Sequence, residues 1–149
     1  MEPIWVVVAD EGCARILELR EQELELEDVE ELTDVAAHAN RADLRRAVKG
    51  RYFSKGTRAV PTAEPYTDEL EHEADVFVRR LSDRLAEAQR QHRFRQLRLV
   101  AAPRLLGRLR RALDQDVAKT VIGELNKDLI HLDCNELARR LFPAMKKRA

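Results

Sequence analysis

Glycine, proline and cysteine are all scarce in this chain, at five, five and two of 149 residues. So few glycines leave no loop of the phosphate-cradling kind. Cys13 and Cys134 are far apart, with no ligand partners at metal spacing. They read as a pair of reduced cytoplasmic thiols. His38, His72, His92 and His131 are scattered, and no metal set is expected from them. Ser54 and Ser82 lack the motifs that support a nucleophile. Long apolar runs are missing too. Ile4 to Ala9 is the longest near the start, far too short to span a membrane and without the flanks of a signal peptide. The expectation is a cytoplasmic chain with no membrane contact, no cofactor and no catalytic residue.

Charge is what the chain has in excess. Charged residues make up 36% of it, yet the formal net charge is zero. That balance conceals segregation. Glu18 to Asp34 holds nine acidic residues and one basic, Arg20. His38 to Val60 reverses this, with Arg41, Arg45, Arg46, Lys49, Arg51, Lys55 and Arg58 against Asp43. Arg93 to Leu113 carries seven arginines and no acid. Local patches set the local field, so neutrality overall does not argue against a polyanionic partner.

The length suits one domain with a real core. Ile4–Ala9 is a β-branched apolar run and predicts a buried strand. Asp10-Glu11-Gly12 supplies a turn, with Gly12 free to take positive φ. Ala14 to Leu19 predicts a second strand. The glutamate-rich Glu23 to Leu32 holds a third, although its leucines also admit a helix. From about 36 to 66 no period is sustained, which predicts a long basic loop with a helical turn or two within Ala42 to Val48. Thr67 is placed to cap a long helix with Asp68, Glu69 and Glu71 in its first turn. Leu70, Ala74, Phe77, Leu81, Leu85 and Ala88 form its apolar stripe, and Arg90, His92 and Arg93 close it.

Leu97 to Ala102 predicts another buried strand, followed by a helix with Pro103 at N1. Leu105, Leu106, Leu109 and Leu113 should face inward, and Arg104, Arg108 and Arg111 outward. Gly107 inside that helix costs about 1 kcal/mol relative to alanine, which suggests close packing of its backbone on the sheet. A strand within Val117 to Leu132, near Val121 to Leu125 or slightly later, and a helix capped by Asp133, carrying Leu137, Leu141 and Phe142 and ended by Pro143, complete the order. Lys146-Lys147-Arg148 is a basic, solvated tail. The sum is a single α/β domain over 1–149: one mixed sheet of about five strands, ordered β-β-β-α-β-α-β-α, with helices packed across it.

Several segments resemble the bacterial host-attachment protein family. Trp5-Val6-Val7-Val8-Ala9-Asp10-Glu11-Gly12-Cys13-Ala14-Arg15-Ile16 is similar to its opening hairpin. Gly50-Arg51-Tyr52-Phe53-Ser54 resembles its glycine-arginine motif, with Ala47-Val48-Lys49 standing where the family has Asp-Arg-Pro. His72 to Leu85 resembles its long helix. Leu99-Val100-Ala101-Ala102-Pro103-Arg104-Leu105-Leu106-Gly107-Arg108-Leu109-Arg110 resembles its strand-to-helix signature, and Glu124 to Leu129 the segment after it. The resemblance is weak over Arg20 to Leu32 and Arg41 to Ala47. It implies a ribonuclease-H-like α/β unit, similar to the middle domain of eukaryotic and archaeal class-one peptide release factors. In that domain a Gly-Gly-Gln loop follows the third strand; here 36–66 holds that place without the tripeptide, so peptide release is not implied.

The expected function is therefore a non-catalytic RNA- or ribosome-binding module. Its candidate site is Arg41, Arg45, Arg46, Lys49, Arg51, Tyr52, Phe53, Lys55 and Arg58, cations for phosphates with aromatics for stacking. The bland alternative is a basic loop that is simply solvated, or that pairs with the acidic stretch before it. A protein–protein adaptor in attachment or its regulation, using the acidic strand or a sheet edge, is the second functional reading. A metal-dependent nuclease built on Asp10 and Asp128 is the third, though Asp10 reads first as a turn residue and two ions need several converging carboxylates.

Overall fold

The computed structural model describes residues 3–20, 25–33 and 60–143, with 60–70 described by backbone alone. Five strands form one sheet: β1 (Ile4–Ala9), β2 (Cys13–Arg20), β3 (Glu25–Thr33), β4 (Gln96–Ala101) and β5 (Val121–Leu125). Among the described residues four helices accompany them: α1 (Val60–Arg90), α2 (Pro103–Ala112), the single-turn α3 (Gln115–Ala118) and α4 (Cys134–Leu141). The strand order is β3-β2-β1-β4-β5. β1 runs antiparallel to β2 and parallel to β4, β3 is antiparallel to β2, and β5 is parallel to β4. The mixed α/β sheet expected from the sequence is thus present, with β2 the strand that opposes the other four.

β1 occupies the centre, and all six of its residues are buried. A strand covered on both faces needs apolar side chains without alternation, which is why Ile4–Ala9 is continuously apolar. Its two faces feed two cores. Trp5, Val7 and Ala9 join Ile16, Leu97 and Leu99 under Phe77, Leu81 and Leu85 of α1 and Leu105, Leu106 and Leu109 of α2. Ile4, Val6 and Val8 join Leu17, Leu19, Leu26 and Val100 under Leu137 and Leu141 of α4. Each fully buried leucine or phenylalanine contributes roughly 1.5–3 kcal/mol.

β3 explains its own ambiguous sequence. Ile16 pairs with Glu30 and Leu17 with Asp28, so Val29 is an extra residue in a bulge. Leu26 therefore packs on the α4 side, and Val29 and Leu32 on the α1 side. The spacing of these three residues mimics a helical period, yet it arises from a strand whose faces exchange at the bulge.

Several local expectations are corrected. Asp10 closes the β1–β2 turn through its own side chain, accepting a hydrogen bond from the Gly12 amide at 2.9 Å. No described glycine has positive φ, so Gly12 does not use that freedom. α1 begins at Val60, not at Thr67, and 60–66 is helix instead of loop. The first four amides of a helix have no intrahelical partner, so Pro61 removes no hydrogen bond there. With that start, Asp68, Glu69 and Glu71 lie beyond the first turn and outside the reach of its dipole. The other end closes as a Schellman motif: Arg93 N–H donates to Ala88 C=O and His92 N–H to Gln89 C=O, with His92 at φ 58°.

α2 starts at Pro103 with Ala102 as its N-cap. The α3 turn between α2 and β5 was not anticipated, and it buries Val117. Buried Ser82 donates to the Ala112 carbonyl at 2.8 Å, tying α1 to the end of α2. Asp133 caps α4 as expected, accepting from the Glu136 amide at 2.8 Å. Gly107 is not pressed against the sheet. A β-carbon there would meet only the Arg111 guanidinium, at an ordinary 3.7 Å.

Arg15 clamps the α4 side. It reaches from β2 to donate to the Ile130 and Leu132 carbonyls at 3.1 and 2.5 Å and to Asp28 of β3 at 3.2 Å. Its side chain is only 14% exposed. This one guanidinium closes the segment leading into α4 against the sheet.

Two stability predictions follow from these contacts. Gly107→Ala should stabilise the fold by about 0.5–1 kcal/mol and raise the melting temperature by about 1–4 °C, measured by thermal unfolding. No gain would mean that the backbone does need glycine there. Arg15→Leu should cost roughly 2 kcal/mol in denaturant unfolding, because it strands two carbonyls. Amide exchange should then accelerate first in 126–141; uniform acceleration would argue against a local clamp.

Candidate functional site

Arg41, Arg45, Arg46, Lys49, Arg51, Tyr52, Phe53, Lys55 and Arg58 lie outside the described residues, as do His38, Ser54, the turns expected in Ala42 to Val48 and the basic tail. The described residues do show which other charges are already taken.

The acidic strand is one answer. Arg84 of α1 donates through Nε and Nη2 to the two Glu30 oxygens at 2.8 and 2.7 Å. On the other face Asp28 accepts from Arg15 and from the Cys134 thiol. Glu27 pairs with Arg20 at 2.8 Å, Glu31 accepts from Cys13, and Glu18 accepts from Trp5 Nε1 at 3.2 Å. The bulge in β3 makes this distribution possible, turning Asp28 and Glu30 to opposite faces although they are two residues apart in sequence.

Three of the seven arginines on and before α2 are paired with carboxylates as well. Arg104 donates to Glu71 at 3.0 Å, and Arg110 pairs with Glu124 through two hydrogen bonds. Arg108 does not point outward to solvent. It is 14% exposed and donates to Asp75 of α1 at 2.6 Å, because α2 lies against α1 at this height. Arg93 covers the Trp5 ring, 5.1 Å from its centroid, while Phe94 stacks on that ring at 5.0 Å. Arg111 is exposed, as expected.

Neither cysteine is set up as a nucleophile. Burial, then the hydrogen bond to Glu31, pushes the Cys13 thiol up to about 11. Burial and Asp28 raise Cys134 as well. Both thiols are free. Asp10 is committed to its turn, Asp128 is exposed after β5, and among the described residues no three of His, Cys, Asp and Glu come together to hold a metal.

Arg98 of β4 stands apart from the other arginines. Its Nε is buried without a hydrogen-bond partner. The guanidinium lies over the Phe142 ring, 4.9 Å from the centroid, and beside Gly123 of β5. No sequence signal marked this residue, since strand pairing to a glycine and contact with an aromatic after α4 are both tertiary.

A family model described as "Protein required for attachment to host cells" matches residues 5–141. No curated protein matches the chain. A solved structure described as "Archaeal protein" is similar over 98% of this chain, at 13% sequence identity and a TM-score of 0.50. The chain spans 39% of the length of that protein, and the likeness concerns the fold alone. Among the described residues no helix is long and apolar enough to cross a membrane.

The Glu30–Arg84 pair has a defined pH signature. Its hydrogen bonds hold the Glu30 carboxyl below its ordinary 4.5, with burial opposing them. The unfolded chain keeps the ordinary value, so the pair adds stability above it and loses that stability as pH falls through the depressed folded value. Glu30→Gln should therefore cost roughly 1 kcal/mol at pH 7, and the gap to wild type should close at acid pH, as followed by urea unfolding. A gap independent of pH would refute the ion-pair account.

Proposed function

This chain belongs to the family of proteins required for attachment to host cells, and on that premise we propose that it is a non-catalytic RNA- or ribosome-binding module acting inside the cell. The observation that carries this reading is the fate of the acidic strand. Asp28, Glu30, Glu27 and Glu31 are held by Arg15, Arg84, Arg20 and Cys13. These β3 carboxylates thus have partners among the described residues, and on this reading the cations from Arg41 to Arg58 serve a polyanion instead of the acidic strand.

That segment combines the two ingredients of sequence-tolerant single-strand binding. Arg41, Arg45, Arg46, Lys49, Arg51, Lys55 and Arg58 can follow phosphates, and Tyr52 and Phe53 offer rings for stacking. Its place between β3 and α1 is also where the release-factor middle domain carries its functional loop, which favours the ribosome as the RNA in question. Attachment to host cells is then reached through regulation of expression.

Binding to ribosomes or single-stranded RNA should fall steeply with salt. Neutralising about five phosphates gives a slope near −3.5, so a fourfold rise in salt should weaken binding roughly 10²-fold. Arg51→Glu combined with Arg58→Glu should cost at least about tenfold and flatten that slope. Ribosome co-sedimentation and filter binding read both effects, and indifference to salt and to charge reversal would sink the reading. Capture of a protein partner that survives nuclease and high salt would instead favour the adaptor.

A further inference from the structure

Arg98 carries a charge for which the described residues provide no counter-ion. Its Nε is buried with no hydrogen-bond partner, and a buried guanidinium donor left unpaired is costly. Among the described residues no carboxylate pairs with it and no oxygen accepts from its terminal nitrogens. Arg84 and Arg108, the half-buried arginines of α1 and α2, have carboxylate partners, whereas Arg111, Arg139 and Arg140 are exposed to water. Arg98 combines partial burial with no carboxylate.

The surroundings hold the guanidinium in place. Phe142 covers it at 4.9 Å. Gly123, its register partner on β5, leaves room on the other side, since a β-carbon there would stand 3.6 Å from Nη1. A guanidinium stacked on a ring keeps its N–H groups in the plane of the fork, ready for two oxygens of one anion. Arg98 opens into a depression of about 140 Å³, bordered by Gly123, Glu124, Leu141 and Arg140 of α4. Arg140 makes no ion pair among the described residues, and Glu124 is already held by Arg110. Arg140 also borders a wider depression of about 400 Å³, shared with Glu136 and Arg139.

We propose that this depression is a binding site for a phosphomonoester, with Arg98 and Arg140 holding its dianionic phosphoryl group. Two guanidiniums without a carboxylate of their own balance two negative charges, which favours a phosphoryl dianion over a single carboxylate. The inner depression has room for one tetrahedral oxyanion and little more. The rest of the ligand extends past Arg140 into the wider depression, where Glu136 and Arg139 offer an acceptor and a donor. This site lies on described residues and is independent of the RNA reading, which rests on Arg41 to Arg58.

The test uses the full chain, labelled with ¹⁵N and titrated with inorganic phosphate against chloride at constant ionic strength. Saturable shifts are expected at the Gly123 amide and the Arg98 Nε–H, and Arg140→Gln, at an exposed position, should weaken binding at least tenfold while the spectrum stays folded. Gly123→Glu places a carboxylate beside Arg98 and should abolish the phosphate response. Linear, unsaturable shifts, or unchanged affinity in Arg140→Gln, overturn the proposal. A nucleoside 5′-monophosphate and a short RNA with and without its 5′-phosphate separate the two sources. Equal affinity for the nucleotide and the phosphorylated RNA assigns a small phosphomonoester. Tighter binding of the RNA that depends on its 5′-phosphate assigns an RNA end. Binding that ignores the terminal phosphate refutes the site.

Discussion

Strand β1 has no exposed face, and the arrangement of the molecule answers to that condition. Flanked by β2 and β4 in the sheet plane, it sends Trp5, Val7 and Ala9 to one side and Ile4, Val6 and Val8 to the other. Each side then needs a cover. The first is supplied generously by the long α1 and by α2. The second is covered by the eight-residue α4 together with Leu129, Ile130 and Leu132 of the segment before it. Arg15 adds a polar fastening on that side, using one guanidinium to hold two carbonyls of this segment and a β3 carboxylate.

The same economy governs the charges. Carboxylates concentrated on β3 and α1 meet arginines carried by β2, α1 and α2, so segregation along the sequence becomes pairing in space. Exposed pairs of this sort contribute about 1 kcal/mol or less each, and their larger effect is to fix which elements face each other. The bulge at Val29 matters more than any single pair. Without the extra residue, Asp28 and Glu30 would share a face, and one of Arg15 and Arg84 would lose its partner.

What could be read in advance follows from where each signal resides. Ile4–Ala9, Val121–Leu125, the Asp133 cap and Pro103 at N1 depend on residues within a few positions of one another, and the sequence states them directly. The β3 bulge is decided by pairing with β2, and the start of α1 by a helix that tolerates Pro61 in its first turn. Gly107 misled because its cost is a local property, whereas the space around it belongs to the tertiary structure. Arg108 misled for the same reason, an outward helical position being covered by a neighbouring helix. The nine residues of the expected basic site remain a statement about composition, since they lie outside the described part of the chain.

Arg98 is set apart by its surroundings and by no motif. In sequence it is one of seven arginines between Arg93 and Leu113, and nothing in that run singles it out. Once the carboxylates on β3, on α1 and at Glu124 have been matched to Arg15, Arg20, Arg84, Arg104, Arg108 and Arg110, the described arginines without an ion pair that border a depression are Arg98, Arg139 and Arg140, and Arg98 and Arg140 share the inner one. An exposed arginine such as Arg111 needs no counter-ion, because water solvates it. Arg98 is half-buried, with its Nε shut away from water and its fork at the edge of a depression, so an anion there would meet the terminal nitrogens of a guanidinium that is already partly desolvated. The basic segment and the Arg98 depression therefore rest on different physics: the first on accumulated charge in water, the second on one desolvated donor. An anion drawn to the first by long-range attraction would be screened by salt, whereas one seated on the second would depend on fit to the guanidinium fork.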